Sequence, residues 1–208
     1  MLLKGLYVLT DSRLHAHSEW AERVELAILG GAEVIQLRDK QLTDDALMPT
    51  ALLIQQICAD YDVTFIINDR INLAKKIQAD GVHIGQHDST LREAREYLGN
   101  HCLIGVSCYK HLFSAIRAQN LGANYVAFGA VFPSSTKQGA PRCPLTIISQ
   151  AYSLLKIPIC AIGGITANNS QYVINAGASL IATTHSVFNA HDPMAAANKL
   201  NHQVIMPR

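Results

Sequence analysis

A chain of 208 residues, 49% of them hydrophobic, is long enough to bury one large core and lies at the small end of the range for a one-domain α/β barrel. Its 17 Lys and Arg against 16 Asp and Glu leave a net charge of +1 and no basic run, which excludes nucleic acid as the expected partner. The longest apolar runs, such as Ile157-Pro158-Ile159-Cys160-Ala161-Ile162, fall far short of the ~18 residues a membrane span needs. The start, Met1-Leu2-Leu3-Lys4-Gly5-Leu6, has no basic n-region or cleavage site, so a cytoplasmic protein is expected.

The first strand is expected at Leu6–Thr10, followed by a helix at Trp20–Leu29 whose apolar stripe is Val24, Ala27 and Ile28. A Gly30-Gly31-Ala32 step ends that helix, and Gly122-Ala123 and Gly177-Ala178 repeat the device further on. The second strand, Val34–Arg38, leads to a helix at Asp45–Ala59, where Leu52, Leu53, Gln56 and Ile57 recur at helical spacing. Further strands are expected at Thr64–Asn68, Gly81–Gly85, Leu103–Ser107, Tyr125–Gly129, Pro158–Gly163 and Leu180–Thr184. Eight strands alternating with helical stretches, about one βα unit per ~25 residues, predict a (βα)8 TIM barrel as a single domain over residues 1–208. Pro133–Pro144 reads as a long loop after the sixth strand, and long loops in compact barrels often carry function.

In this fold the active site forms where the strands end, and polar residues gather there. Gln36 and Arg38 share one strand face, and Lys40 continues their register, so two cations and an amide are expected at the barrel mouth. With Lys137 on the long loop, these cations need either several carboxylates or an anionic ligand, and a guanidinium fork beside ammonium charges suits phosphate or pyrophosphate. Ser107, Ser134 and Thr136 add hydroxyls. Asp69 and Asp88 are the acids at the third and fourth strand ends, a pair suited to Mg²⁺, which takes few protein ligands. Each has a structural alternative: Asp88 as a helix N-cap, Asp69 as an ion-pair partner of Arg70. Gly163-Gly164 after the seventh strand is a backbone phosphate-binding turn by position. His83 and His87, four apart on a strand end, do not converge on zinc, and His15, His17, His101, His111, His191 and His202 read as surface or loop residues. Five cysteines without a C-x-x-C pair fit a reducing compartment, with Cys58 and Cys160 as packing residues.

The ordered set Q-L-R-D-K at 36–40, N-D-R at 68–70, D-G-V-H-I-G-Q-H-D at 80–88, G-V-S at 105–107, F-G-A-V-F-P-S-S-T-K at 128–137 and A-I-G-G-I at 161–165 resembles the thiamine-phosphate synthase family over nearly the whole chain. The resemblance implies that Arg38, Lys40, Asn68, Ser107 and Lys137 hold the pyrophosphate of hydroxymethylpyrimidine diphosphate, and that Asp69 and Asp88 hold its Mg²⁺. It implies that Gln36 and His83 seat the aminopyrimidine, and that Ser134, Thr136, Gly164, His185 and Ser186 receive the thiazole phosphate. The implied reaction loses pyrophosphate first, and the thiazole nitrogen captures the resulting pyrimidine methylene cation; a homodimer is implied as well. Two departures stand out: His185 in place of a family serine, and Cys143 in place of a customary glycine. Three other readings remain: a thiazole tautomerase, which lacks parts of the pyrophosphate and metal set; a non-catalytic barrel that binds the precursors; and a Schiff-base aldolase, against which Lys137 sits on a loop rather than a strand.

Overall fold

β-branched runs that alternate with amphipathic stretches bury both their faces when the strands close into a ring and the helices wrap it. A computed structural model, which describes residues 3–86, 88–133 and 142–205, has this form. The strands are β1 Gly5–Leu9, β2 Ala32–Leu37, β3 Thr64–Asn68, β4 Gly81–Ile84, β5 Leu103–Tyr109, β6 Tyr125–Phe128, β7 Ile159–Ile162 and β8 Leu180–Thr183. All pair in parallel with their sequence neighbours, and β1 closes the barrel against β8, with Gly5 opposite Leu180 and Val8 opposite Thr183. Every expected strand is present within two residues of its predicted limits.

Around the barrel lie α1 Trp20–Leu29, α2 Asp44–Asp60, α3 Ile71–Ile77, α4 Leu91–Leu98, α5 Leu112–Asn120, α6 Leu145–Leu154, α7 Ser170–Asn175, the single turn α8 His185–Phe188, and α9 Pro193–Ile205. Strand alternation divides the apolar residues into two cores. Tyr7, Leu9, Val34, Ile66, Tyr125, Ala127, Cys160 and Leu180 fill the barrel interior. Their strand neighbours Leu6, Val8, Ile35, Leu37, Phe65 and Ile67 face outward into a second core with Trp20, Val24, Leu47, Ala51 and Ile54. Each such fully buried side chain contributes about 1.5–3 kcal/mol relative to exposure.

Helix α1 has the expected limits and buries the expected stripe, with Trp20 added. In α2 the buried residues are Leu47, Ala51, Ile54 and Cys58, whereas Leu52 and Leu53, expected in the stripe, are about half exposed. Steps of four, three and four residues follow one helical face; Leu52 and Leu53 lie off that line and face solvent. The N-cap of α4 is Thr90, not Asp88: its hydroxyl accepts from the Glu93 N–H at 3.2 Å, and the Glu93 carboxylate accepts from the Thr90 N–H at 2.8 Å. Cys58 and Cys160 are buried, as expected of packing residues, and burial pushes the Cys58 thiol up to about 12. No helix among the described residues is long and apolar enough to cross a membrane.

Candidate active site

Parallel pairing sends the C-terminal ends of all eight strands to one side, where a cavity of about 390 Å³ opens. On the β1–β2 side it is lined by Asp11, Gln36 and Arg38. Asp11 is buried and clasped by Arg13, with Nε at 2.9 Å and Nη2 at 2.5 Å from its two oxygens. Burial works against ionising Asp11, but the hydrogen bonds from Arg13 and the charges of Arg13 and Arg38 overcome it and hold the carboxyl below its usual range. Among the described residues the Arg38 guanidinium has one ion-pair contact, with Asp11 at 4.0 Å, and Arg38 lines the cavity.

Lys40 does not line the cavity; it reaches across the rim to form an ion pair with Asp69. Asp69 has φ of 61°, a left-handed conformation that is uncommon outside glycine, and its N–H donates to the His83 carbonyl at 2.8 Å. Asp69 therefore pairs with Lys40, and the alternative of an Asp69–Arg70 pair is not what forms. Arg70 turns the other way, to Asp44 at 2.6 Å and to the carbonyls of Asp39 and Leu42 at 2.9 and 2.6 Å. Asp39, buried beside them, accepts from the N–H groups of Gln41 and Leu42 at 2.7 Å each. Adjacent residues of two short motifs thus have different roles: Arg38 lines the cavity and Asp69 pairs with Lys40 at its rim, while Asp39 and Arg70 hold together the turn that leads into α2.

Across the cavity floor runs a chain of polar side chains from five strands. Gln36 Nε2 donates to the Tyr7 hydroxyl at 2.6 Å, Tyr7 and Tyr125 hydroxyls meet at 2.9 Å, Tyr125 contacts His83 Nδ1 at 3.0 Å, and His83 Nε2 lies 2.8 Å from the Ser107 hydroxyl. Burial pushes both phenols far above their ordinary value, so each keeps its proton. Gln36 Oε1 and Asn68 Nδ2 are buried without a hydrogen-bond partner among the described residues, one acceptor and one donor on residues that line the cavity. Gln36, Arg38, Asn68, His83 and Ser107 are thus brought together on one cavity.

The other side of the mouth is built from small residues and backbone. Gly163 and Gly164 line the cavity with φ of 102° and 64°; a Cβ on Gly164 would run into the Pro133 carbonyl and Phe132. Thr184, His185 and Ser186 line it at the end of β8, although the Ser186 hydroxyl is committed to the Ile165 carbonyl. Ser134, Thr136 and Lys137 lie outside the described residues. At the far end of that segment Cys143 is buried, with its N–H on the Ala130 carbonyl at 2.8 Å.

Asp88 gives one oxygen to the Gly85 N–H at 2.7 Å and, like Asp69, does not line the cavity. No group of three or more His, Cys, Asp and Glu gathers among the described residues. Two carboxylates at neighbouring strand ends, one of them already drawing an ammonium, fit Mg²⁺, which draws its remaining ligands from phosphate and water. Sequence reasoning missed Tyr7, Asp11 and Tyr125. The alternation that puts Gln36 and Arg38 on one face also puts Tyr7, Leu9 and Asp11 on one face; applied to the first strand, it reveals two of the three.

Residues 6–187 match the model of the thiamine monophosphate synthase family. The chain is 43% identical to the thiamine-phosphate synthase of Thioalkalivibrio sulfidiphilus, covering 95% of this chain and 94% of that one. It is 45% identical to that of Methylococcus capsulatus, over 95% and 88%. Its fold is similar to that of thiamine phosphate pyrophosphorylase from Pyrococcus furiosus, with a TM-score of 0.88, 34% identity, and coverage of 96% and 95%.

Proposed function

The chain belongs to the thiamine monophosphate synthase family, and on that premise we propose how its own residues carry out the family's reaction. The activity is thiamine-phosphate synthesis, an alkyl transfer. A pyrimidine diphosphate gives its methylene carbon to the ring nitrogen of a thiazole phosphate, and pyrophosphate leaves.

The observation that carries the assignment of roles is the pair of buried polar atoms on Gln36 and Asn68 that have no hydrogen-bond partner among the described residues, with Arg38 lining the same cavity. Gln36 and His83 would seat the aminopyrimidine, with Gln36 Oε1 accepting from its amino group. Arg38, Asn68 and Ser107 would take the pyrophosphate oxygens, with Lys40 and Lys137 closing on them. Asp69 and Asp88 would hold Mg²⁺, which, when bound, neutralises charge on the departing pyrophosphate. Lys40 swings from Asp69 toward the phosphate in this account, so one ion pair exchanges for two. On the far side, Gly164 and the segment 184–186 would receive the thiazole phosphate, with Ser134 and Thr136.

The carbon–oxygen bond to pyrophosphate breaks first, and its electron pair leaves with the phosphate. The methylene cation then accepts the lone pair of the thiazole nitrogen. Neither step needs a side chain to move a proton, so charge stabilisation of the leaving group supplies most of the barrier reduction. Pyrophosphate release from purified protein, measured with each substrate alone, with both, and with EDTA, tests this. Release that requires both substrates and the metal supports the account; release that persists in EDTA removes Asp69 and Asp88 from the metal role.

A further inference from the structure

The chain of hydrogen bonds across the cavity floor has only one order that is consistent with its first link. An amide nitrogen donates and does not accept. Tyr7 therefore receives a proton from Gln36 Nε2, and its own buried proton goes to Tyr125, the one further hydroxyl in contact with it among the described residues, since otherwise that proton would have no acceptor. Tyr125 then gives its proton to His83 Nδ1, which must be the bare nitrogen of the ring. The ring proton sits on Nε2 and goes to the Ser107 oxygen. The Ser107 hydroxyl proton is left over, and its free direction is the cavity that Ser107 lines. At the opposite end Gln36 Oε1 remains buried with no hydrogen-bond partner among the described residues. Neither phenol ionises in its buried place, so the chain always holds one proton per hydroxyl.

We propose that Tyr7 and Tyr125 are positioning residues: they transmit the orientation of the Gln36 amide to Ser107, so that an amino group bound at Gln36 fixes the Ser107 hydroxyl as a donor toward the pyrophosphate. This rests on the substrate roles given above. The reverse order would put the Gln36 amide nitrogen toward the substrate's amino group and turn the Ser107 proton inward to His83. Donor would then face donor at one end, and lone pairs would face an anion at the other. Recognition of the ring and stabilisation of the leaving group are therefore coupled through two phenols, of which Tyr125 does not line the cavity. A ring bearing an oxo group in place of the amino group favours the reverse order, which satisfies the ring end but turns the Ser107 lone pairs toward the anion.

The test is ¹⁵N NMR of the full-length protein labelled at histidine, recorded above neutral pH, with the His83 signals identified by their loss in His83→Asn. The wild-type protein is expected to carry the ring proton on Nε2. In Tyr125→Phe, which keeps the ring and removes the link, both tautomers appear and kcat falls about tenfold, the effect of one hydrogen bond. Tyr125→Phe added to Ser107→Ala should then cost less than the product of the two single effects, because both remove the same donor. A wild-type proton on Nδ1 overturns the proposal, and so does a Tyr125→Phe protein with unchanged tautomer and kcat. The wild-type spectrum decides the order even if the variant fails to fold. It needs no substrate, so an inactive wild-type protein counts against the functional reading alone.

Discussion

From β2 to β5 the mouth of the barrel carries Arg38, Asn68, His83 and Ser107, side chains that bind through charge and directed hydrogen bonds. From β6 to β8 it carries Gly129, Gly163, Gly164, Ala182 and Thr183, where backbone is exposed and side chains are small. The two substrates differ in the same sense. A diphosphate that must leave with a growing charge needs strong, specific donors, whereas a phosphate that stays on its substrate needs only to be held. In the proposed assignment one half serves differential stabilisation and the other uniform binding.

The largest expected effect comes from removing charge on the first half. Arg38→Ala should lower kcat/KM for the pyrimidine diphosphate about 10²- to 10³-fold, with thermal stability unchanged, because its only charged partner among the described residues is 4.0 Å away. Steady-state kinetics beside thermal unfolding checks this. A change within tenfold would take Arg38 out of the leaving-group site.

Arg38 also marks where reading the sequence was sound and where it stopped. The eight strands and the α1 stripe were legible because period-two and period-3.6 patterns survive in a single sequence. Gln36 and Arg38 were legible for the same reason. The Leu52–Leu53 error in α2 arose because adjacent leucines fit a helical count without sharing a face. Lys40 was expected at the barrel mouth beside Gln36 and Arg38, and what the sequence did not reveal is its pairing with Asp69, since a long flexible side chain past a strand end is not bound by strand register. Thr90 and Asp88 both precede α4, and only the capping geometry with Glu93 separates them. Gln36, His83 and Ser107 were legible as site residues, but their linkage through Tyr7 and Tyr125 was not, because the five members come from five strands and their contact depends on barrel closure.

The next effect is on the glycine half. Gly164→Ala places a side chain at φ of 64° and against Pro133, which should cost about 1–3 kcal/mol of stability. It should also raise KM for the thiazole phosphate more than KM for the diphosphate. Denaturant unfolding with separate KM determinations tests both parts, and an unchanged thiazole KM would detach this turn from phosphate binding.

Arg70→Ala sharpens the contrast from outside the site. Arg70 bonds Asp44 and two carbonyls in the turn before α2, so its loss should cost about 2 kcal/mol of stability and alter kcat by less than its neighbours do. A large fall in kcat at unchanged stability would give Arg70 a catalytic part that the contacts do not. Smallest is Thr90→Ala, expected to cost about 1 kcal/mol through the lost cap, with activity intact, since Thr90 does not line the cavity; thermal unfolding and turnover measured together check it.

The central claim, that the two halves of the mouth divide the two substrates, is tested most directly by calorimetric titration of Arg38→Ala and the wild-type protein with each substrate singly in the presence of Mg²⁺. The account predicts that the variant loses affinity for the pyrimidine diphosphate by tenfold or more and binds the thiazole phosphate as the wild-type protein does. Equal weakening for both substrates, or weakening for the thiazole phosphate alone, would contradict it.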